Sequence, residues 1–331
     1  MMHDAQLEFA NQGKGVYDFD PQFQFVKEAL SNADYTIANL ELTISTNGHY
    51  DGYPSFRAPE ELLDTLKDCG IDLFTTANNH ILDYMFEGVV KTNDELDERG
   101  FAHVGNYRTK EEAETPLVVE INGIKVGFLA YTEHVNGHHR YLPANKRFCV
   151  KPLKGADFKA DVQALRELGA ELVICLPHWG VENVRWVSDE CKRTALEMVD
   201  AGVDVILGSH PHEVQAMGIL ERTVDGEEKR VLIAWSMGNF IANMQQRYRN
   251  NGIIVDFTVT RDADGKLRIH DAGYVPIYVC KRGKGLTALC SLEYYDKKPK
   301  GMDKDSYIML RQSVNDLKRV MTQEGIARLV N

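Results

Sequence analysis

The stretch that most restricts how this chain can fold is Val203-Asp204-Val205-Ile206-Leu207, followed directly by Gly208-Ser209-His210-Pro211-His212. A short β-branched run that stops at glycine predicts a buried strand leading into a turn. Pro211 disfavours helical backbone at His210, which predicts that the segment stays extended. Side chains two apart on extended chain share a side, so His210 and His212 are expected to project together. The carboxyl ends of strands are where open α/β sheets bind their ligands. The bland alternative for the pair alone is two solvated loop histidines.

Strand-like runs ending in polar residues recur along the chain. The opening through Asp18 is polar and without clear periodicity, whereas Pro21 to Leu30 has helical spacing with Phe23, Val26 and Leu30 on one face. Tyr35 to Leu40 reads as a strand running into Glu41, and a helix is expected from Pro59 to Asp68 with Gly70 as its C-cap. Ile71 to Thr76 reads as a strand ending in Ala77-Asn78-Asn79-His80, and a helix from about Met85 to Glu98 leads to the strand Phe101 to Val104. Asn122-Gly123, between apolar runs, is the strongest short hairpin signal in the chain. A helix over about Asp157 to Leu168 precedes the strand Leu172 to Leu176, which reaches Pro177-His178-Trp179-Gly180. A helix from Asp189 to Asp200 leads into the histidine pair, and Val231 to Trp235 ends in Ser236-Met237-Gly238-Asn239-Phe240. Ile253 to Thr260 and Leu267 to Val279 look antiparallel, and a helix from about Ser306 to Gln323 closes the chain. With no repeat and no low-complexity linker, this alternation predicts an α/β protein whose sheets lie between helices, one domain over residues 1–331.

Composition narrows the function. With 49 acidic and 38 basic residues the formal charge is -11, which argues against a nucleic-acid partner held on a broad basic face. Cys69, Cys149, Cys175, Cys191, Cys280 and Cys290 are widely spaced and mostly among apolar neighbours, so they read as buried thiols. No apolar run reaches membrane-spanning length and Met1-Met2-His3-Asp4 leads into polar sequence. A cytoplasmic protein is expected on the sequence as it stands, and an extracytoplasmic one if the true N-terminus lies upstream.

Five strand ends in this reading carry Asn39-Leu40-Glu41, Asn78-Asn79-His80, His178, His210 with His212, and Ser236 with Asn239. Strand carboxyl ends lie on one rim of a parallel sheet, so these residues are expected to gather. One carboxylate, an amide oxygen and three imidazoles suit a divalent transition metal (Mn, Fe or Zn). They suit neither an all-oxygen calcium cage nor a cysteine-rich structural zinc site.

Taken in order, Asn39-Leu40-Glu41, Ala77-Asn78-Asn79-His80 with Asp83, His178-Trp179-Gly180-Val181-Glu182, Gly208-Ser209-His210-Pro211-His212 and Ser236-Met237-Gly238-Asn239-Phe240 resemble the motif set of the CapA family. These are poly-γ-glutamate capsule synthesis proteins of the calcineurin-like metallophosphoesterase superfamily. Gly88-x-x-x-Thr92 and Gly123-Ile124-Lys125-Val126-Gly127 resemble it as well. The resemblance implies a four-layer αββα sandwich with a two-metal site. Glu41 would bridge the metals, Asn79, His178 and His210 would complete one, and His212 would reach the other. His80 would protonate a leaving oxygen, with Asp83 orienting it. The family normally opens with a strand ending in Gly-Asp-x-Met, and this chain begins Met1-Met2-His3-Asp4, as if just past that aspartate. One well-held metal and an incomplete second position are therefore expected, with His3 or Asp4 as substitutes at the second. The implied activity is metal-assisted hydrolysis of an anionic small molecule or polymer, a phosphoester or polyglutamate-type substrate. Two alternatives stand beside it: an accessory subunit that binds polymer or docks on a membrane-bound synthase, and a general phosphodiesterase or nucleotidase.

Asn39, Ser236 and Asn239 are candidate substrate contacts, though turn chemistry alone also explains them. Arg247 and Arg249, in an apparent loop after Asn239, have the best claim among the arginines to hold an anion; Arg57, Arg108 and Arg140 read as ordinary surface residues. Trp179 is expected to cover the histidine-bearing loop. His134, His138 and His139 form a cluster after Tyr131 that is either a solvated loop or a lid over the rim.

Overall fold

In the computed structural model, residues 1–224, 226–282, 285–321 and 328–329 are described. The principal strands are β1 (Ile37–Asn39), β2 (Leu73–Thr75), β3 (Ala102–Val104), β4 (Leu117–Ile121), β5 (Ile124–Thr132), β6 (Leu172–His178), β7 (Val205–Leu207), β8 (Met217–Val224), β9 (Glu227–Ala234), β10 (Asn251–Arg261), β11 (Leu267–Arg282) and β12 (Gly285–Cys290). The longer helices, with one shorter, are α1 (Asp4–Ala10), α2 (Glu61–Asp68), α3 (Met85–Glu98), α4 (Phe158–Glu167), α5 (Asp189–Ala201) and α6 (Lys304–Met321). The expected end of α6 at Gln323 lies outside the described residues.

One sheet has the order β8-β9-β7-β6-β5-β4. Its four inner strands are parallel, and both outer strands join by antiparallel hairpins. At the β4–β5 hairpin Asn122 and Gly123 have φ of 48° and 80°. Both central residues are therefore left-handed, as a type I′ turn requires. The second layer consists of a parallel β1-β2-β3 sheet and an antiparallel β10-β11-β12 sheet.

Period-two burial shows how the layers stack. In the first sheet Val126, Phe128, Ala130, Ile174 and Leu232 pack toward the second layer, alongside Leu73, Ile253 and Tyr274. The alternate residues Leu129, Tyr131, Val173, Cys175 and Ile233 pack on Val162 of α4 and Met198 of α5. In the second layer Phe74, Ile277 and Ala288 face outward onto Leu7 of α1, Leu63 of α2 and Leu96 of α3. The order of layers is helices, sheet, sheet, helices: the expected four-layer αββα sandwich. Between the sheets lies an apolar cavity of about 930 Å³, lined by Ile37, Phe128, Ile174, Leu207, Ile253 and Val255 and reaching Glu41 and His210. All six cysteines are buried free thiols. Among the described residues no helix is long and apolar enough to cross a membrane.

The expected helix from Pro21 to Leu30 is instead two short ones, Asp20–Phe23 and Lys27–Ser31. Phe25 forms a β-bridge with Leu289 of β12, which draws the backbone out of helical geometry between them. Among the pieces not anticipated are α1 and the ribbon of Asn11–Gly13 with Val16–Tyr17 in the unassigned opening, the short helix Lys110–Glu114, β8, β12, and a two-strand ribbon of Thr43–Ser45 with Arg57–Pro59.

Two contacts explain glycines in the motifs. A Cβ at Gly208 would lie 2.2 Å from the Trp235 carbonyl oxygen and 2.6 Å from Trp179 Nε1. Those indoles stack at 5.9 Å, and Trp179 Nε1 donates to the Trp235 carbonyl. In α3, Gly88 lies against Thr43, and buried Thr92 Oγ1 accepts from Ile44 N at 2.9 Å while donating to the Gly88 carbonyl. Gly208→Ala is expected to lower the free energy of unfolding by about 1–3 kcal/mol through overpacking. Thr92→Val, which strands the Ile44 amide, should lower it by about 1–3 kcal/mol. Urea unfolding followed by circular dichroism checks both, and an unchanged midpoint for either variant refutes its assignment.

Candidate functional site

Each candidate side chain is delivered by backbone pairing that continues past a strand end. Leu40 N donates to the Thr75 carbonyl, which brings the β1 and β2 exits side by side with Glu41 on one and Asn78, Asn79 and His80 on the other. His178 is the last residue of β6 paired with β5, and it also bridges to Ser209 beyond β7. Ser209 N donates to the Pro177 carbonyl and Gly208 N to the Ala234 carbonyl, so the turn after β7 is fixed between its neighbours. The exits belong to two different sheets, β1 and β2 in one and β6, β7 and β9 in the other. The expectation of one rim is corrected: two rims face each other, and the site lies between them.

The expectation of extended chain at the histidine pair is also corrected. His210 has φ of 103° and His212 has φ of 61°. Pro211 does exclude helix at His210, but the backbone escapes into the left-handed side, which non-glycine residues adopt at a cost. The rings still lie near each other, with centroids 6.3 Å apart.

Four of the five expected ligand residues meet at one point. His178 Nε2 lies 2.9 Å from Asn79 Oδ1, 3.1 Å from His210 Nδ1 and 3.6 Å from Glu41 Oε1. Donor atoms about 2.1 Å from a shared ion would stand about 3.0 Å apart at right angles and about 3.4 Å apart in a tetrahedron. Among the described residues no group of three or more His, Cys, Asp or Glu side chains by itself has the arrangement of a metal cage; the convergence on His178 includes the Asn79 amide. His212, the fifth, sits further out with Nδ1 3.1 Å from Asn239 Oδ1. Of the two N-terminal candidates, Asp4 accepts from Gly52 N and His3 Nδ1 from Asn243 N.

Burial, reinforced by the neighbouring imidazoles His210 and His212, holds His178 well below the usual histidine range. Burial and then His134 and His212 push His210 down to about 3. Both rings are neutral at pH 7, the form that offers a lone pair. Ser209 Oγ lies 2.8 Å from His178 Nδ1 and can accept a hydrogen bond from its N–H, leaving the Nε2 lone pair toward the convergence. Asn39 Nδ2 donates to Glu41 Oε2 at 3.2 Å, so Asn39 steers the carboxylate. His80 Nδ1 lies 2.7 Å from Asp83 Oδ2, which also accepts from Phe56 N at 2.8 Å.

The remaining candidates divide. Asn239 Nδ2 donates to the carbonyls of His212 and Arg249, so Asn239 holds the His212 turn and Arg249 contributes its backbone. The Arg249 guanidinium donates to Asn183 Oδ1. Arg247 makes a bidentate pair with buried Asp316 of α6 and is committed there. Ser236 Oγ accepts from Gly238 N and braces that turn. Arg57 pairs with Asp51 and Arg108 with Asp94, Asp97 and Glu112, ordinary surface ion pairs.

Of the two readings of the His134, His138 and His139 cluster, a solvated loop or a lid over the rim, the structure places His134 at the rim, its Nε2 3.2 Å from His210 Nε2. Sequence reasoning missed Asn136, whose Oδ1 accepts from Asn79 Nδ2 at 3.3 Å. The histidine cluster was visible as a composition signal; its target, 76 residues away, was not.

Residues 1–244 match the family described as bacterial capsule synthesis protein PGA_cap. The PGA biosynthesis protein CapA of Bacillus subtilis (strain 168) is 24% identical over 294 residues, 84% of this chain and 72% of that protein. The capsule biosynthesis protein CapA of Bacillus anthracis is 27% identical over 256 residues, 72% of this chain and 60% of that protein. Among solved structures, the sulfate thiohydrolase SoxB of Thermus thermophilus, in complex with glycerol, aligns with 78% of this chain and 39% of that one. The identity is 13% and the TM-score 0.39, a likeness too slight to bear on chemistry. With the match running from residue 1 to residue 244 of 331, the chain belongs to the bacterial capsule synthesis protein family PGA_cap.

Proposed function

We propose that this chain is a metal-dependent hydrolase acting on an anionic substrate, a phosphoester or polyglutamate-type bond, in capsule or poly-γ-glutamate biosynthesis. The observation that carries the reading is the convergence on His178 Nε2, together with a Glu41 Oε1 that is buried and accepts no hydrogen bond. A carboxylate oxygen removed from water without a donor is costly, and a cation is the partner that would relieve it. Two neutral imidazoles, an amide oxygen and a carboxylate oxygen are a donor set for Mn, Fe or Zn, so the residues present fit such an ion. Glu41, Asn79, His178 and His210 would hold it, and Glu41 with His212 mark a second, less complete position.

A bound divalent ion supplies Lewis-acid polarisation of the substrate and a more acidic water. The chain's own part is proton handling and placement. Asp83, fixed by the Phe56 amide, holds the His80 Nδ1 proton. The exchangeable proton of protonated His80 is then at Nε2, where it can pass to a leaving oxygen. Phe56 packs edge-on against the His80 ring at 4.6 Å and limits its rotation.

Chelator-stripped protein titrated with Mn²⁺ in a calorimeter is expected to bind. His178→Ala and His210→Ala should each weaken that binding by at least about 100-fold, since each removes a direct donor. His80→Ala should leave Mn²⁺ affinity intact while slowing hydrolysis of bis(p-nitrophenyl) phosphate by about 10²–10⁴-fold. Binding of poly-γ-glutamate with no turnover under any of the three metals, unchanged in His80→Ala, would replace the hydrolase reading with that of an accessory subunit.

A further inference from the structure

We infer that Asn136 is a positioning residue for this centre, selecting which end of the Asn79 amide faces it. The inference rests on the metal-centre reading above. Residues 133–138 form a loop whose start is clamped to the end of β6: Glu133 N donates to the His178 carbonyl, and Glu133 Oε2 accepts from Gly180 N at 2.7 Å. Val135 is buried in a cluster with Ile81 and Leu82, the residues that follow Asn79 and His80. The polar side chains at positions 134, 136 and 138 each reach a different part of the site. His134 approaches His210, Asn136 bonds Asn79, and His138 Nε2 lies 3.8 Å from Asp83 Oδ1.

The asparagine carries the argument because of a symmetry problem. The oxygen and nitrogen ends of an amide have nearly the same shape, and rotation by half a turn exchanges them. With its oxygen toward His178, Asn79 is a donor to a cation; with its NH₂ there, it repels one. In the structure Asn136 presents Oδ1, which accepts only from the NH₂ end of Asn79, so in this arrangement the two amides are coupled and the oxygen end of Asn79 is held inward. An aspartate at 136, with oxygens at both ends, would hold it there whichever way it turned.

A purely structural explanation exists for Asn136 and must be separated. Its φ is 48° and that of Gly137 is 77°, a left-handed pair in which asparagine is favoured for its backbone alone. Glycine satisfies that backbone without offering an acceptor, and aspartate keeps an acceptor oxygen. Asn136 is exposed, so neither change disturbs the core.

The test is Mn²⁺ titration of the full chain. Asn136→Gly is expected to weaken binding about 10-fold, while Asn136→Asp stays within about 3-fold of the parent or binds more tightly. In an Asn79→Asp background, where both ends of the side chain are oxygens, adding Asn136→Gly should change nothing further. Parent-like affinity of Asn136→Gly overturns the inference. So does a loss in Asn136→Asp, which remains decisive even if the glycine variant fails to fold, and so does an undiminished loss in the Asn79→Asp background. If the parent binds no Mn²⁺, or His178→Ala binds as the parent does, the metal-centre reading itself falls; if His178→Ala loses binding and Asn136→Gly does not, only the positioning role falls.

Discussion

Polar groups at the junction of the two sheet layers are withdrawn from water, and they persist there because nearly every one is held by another. Asn78 donates to Asn39 and to the Leu40 carbonyl, Asn39 donates to Glu41, and Asn79 meets His178. A buried polar group left alone costs roughly 1–3 kcal/mol. The network therefore favours one relative placement of the β1 and β2 exits against those of β6 and β7. Glu41 Oε1 is the exception within it, and that exception is what gives the cluster a chemical direction.

The sandwich supplies what no single sheet could. The β1-β2 side contributes a carboxylate and amides, and the β6-β7 side contributes imidazoles. Each set alone is an incomplete donor group. Facing rims bring them within hydrogen-bonding distance while apolar residues line the cavity behind them. Membership of a capsule synthesis family and this donor set come from independent observations, one from residues matched along the chain and one from distances across it.

Much of the frame was legible because local rules determined it. Met85–Glu98 ends where expected, since its apolar period and the following Gly100 both mark that end, and Asn122-Gly123 dictated its hairpin. The short bridge that splits Pro21 to Leu30 is a contact with a residue more than 260 positions away, which no local pattern encodes. The site was legible as a set of residue types at strand ends. It was not legible as two facing rims, because pairing partners between sheets leave no trace in spacing. Arg247 shows the same limit: its position after Asn239 suggested the pocket, but its side chain is claimed by Asp316 on a distant helix.

The left-handed backbone at His210 and His212 has a bearing on protein engineering. Two imidazoles grafted onto an ordinary strand exit would point elsewhere, because their directions are set by the turn and not by the strand. A transplant of this centre into another scaffold would need Gly208, the paired indoles beneath it and Pro211 as a single cassette. Variation at positions 210 and 212 would likewise enrich asparagine, aspartate and glycine for conformational reasons unrelated to chemistry.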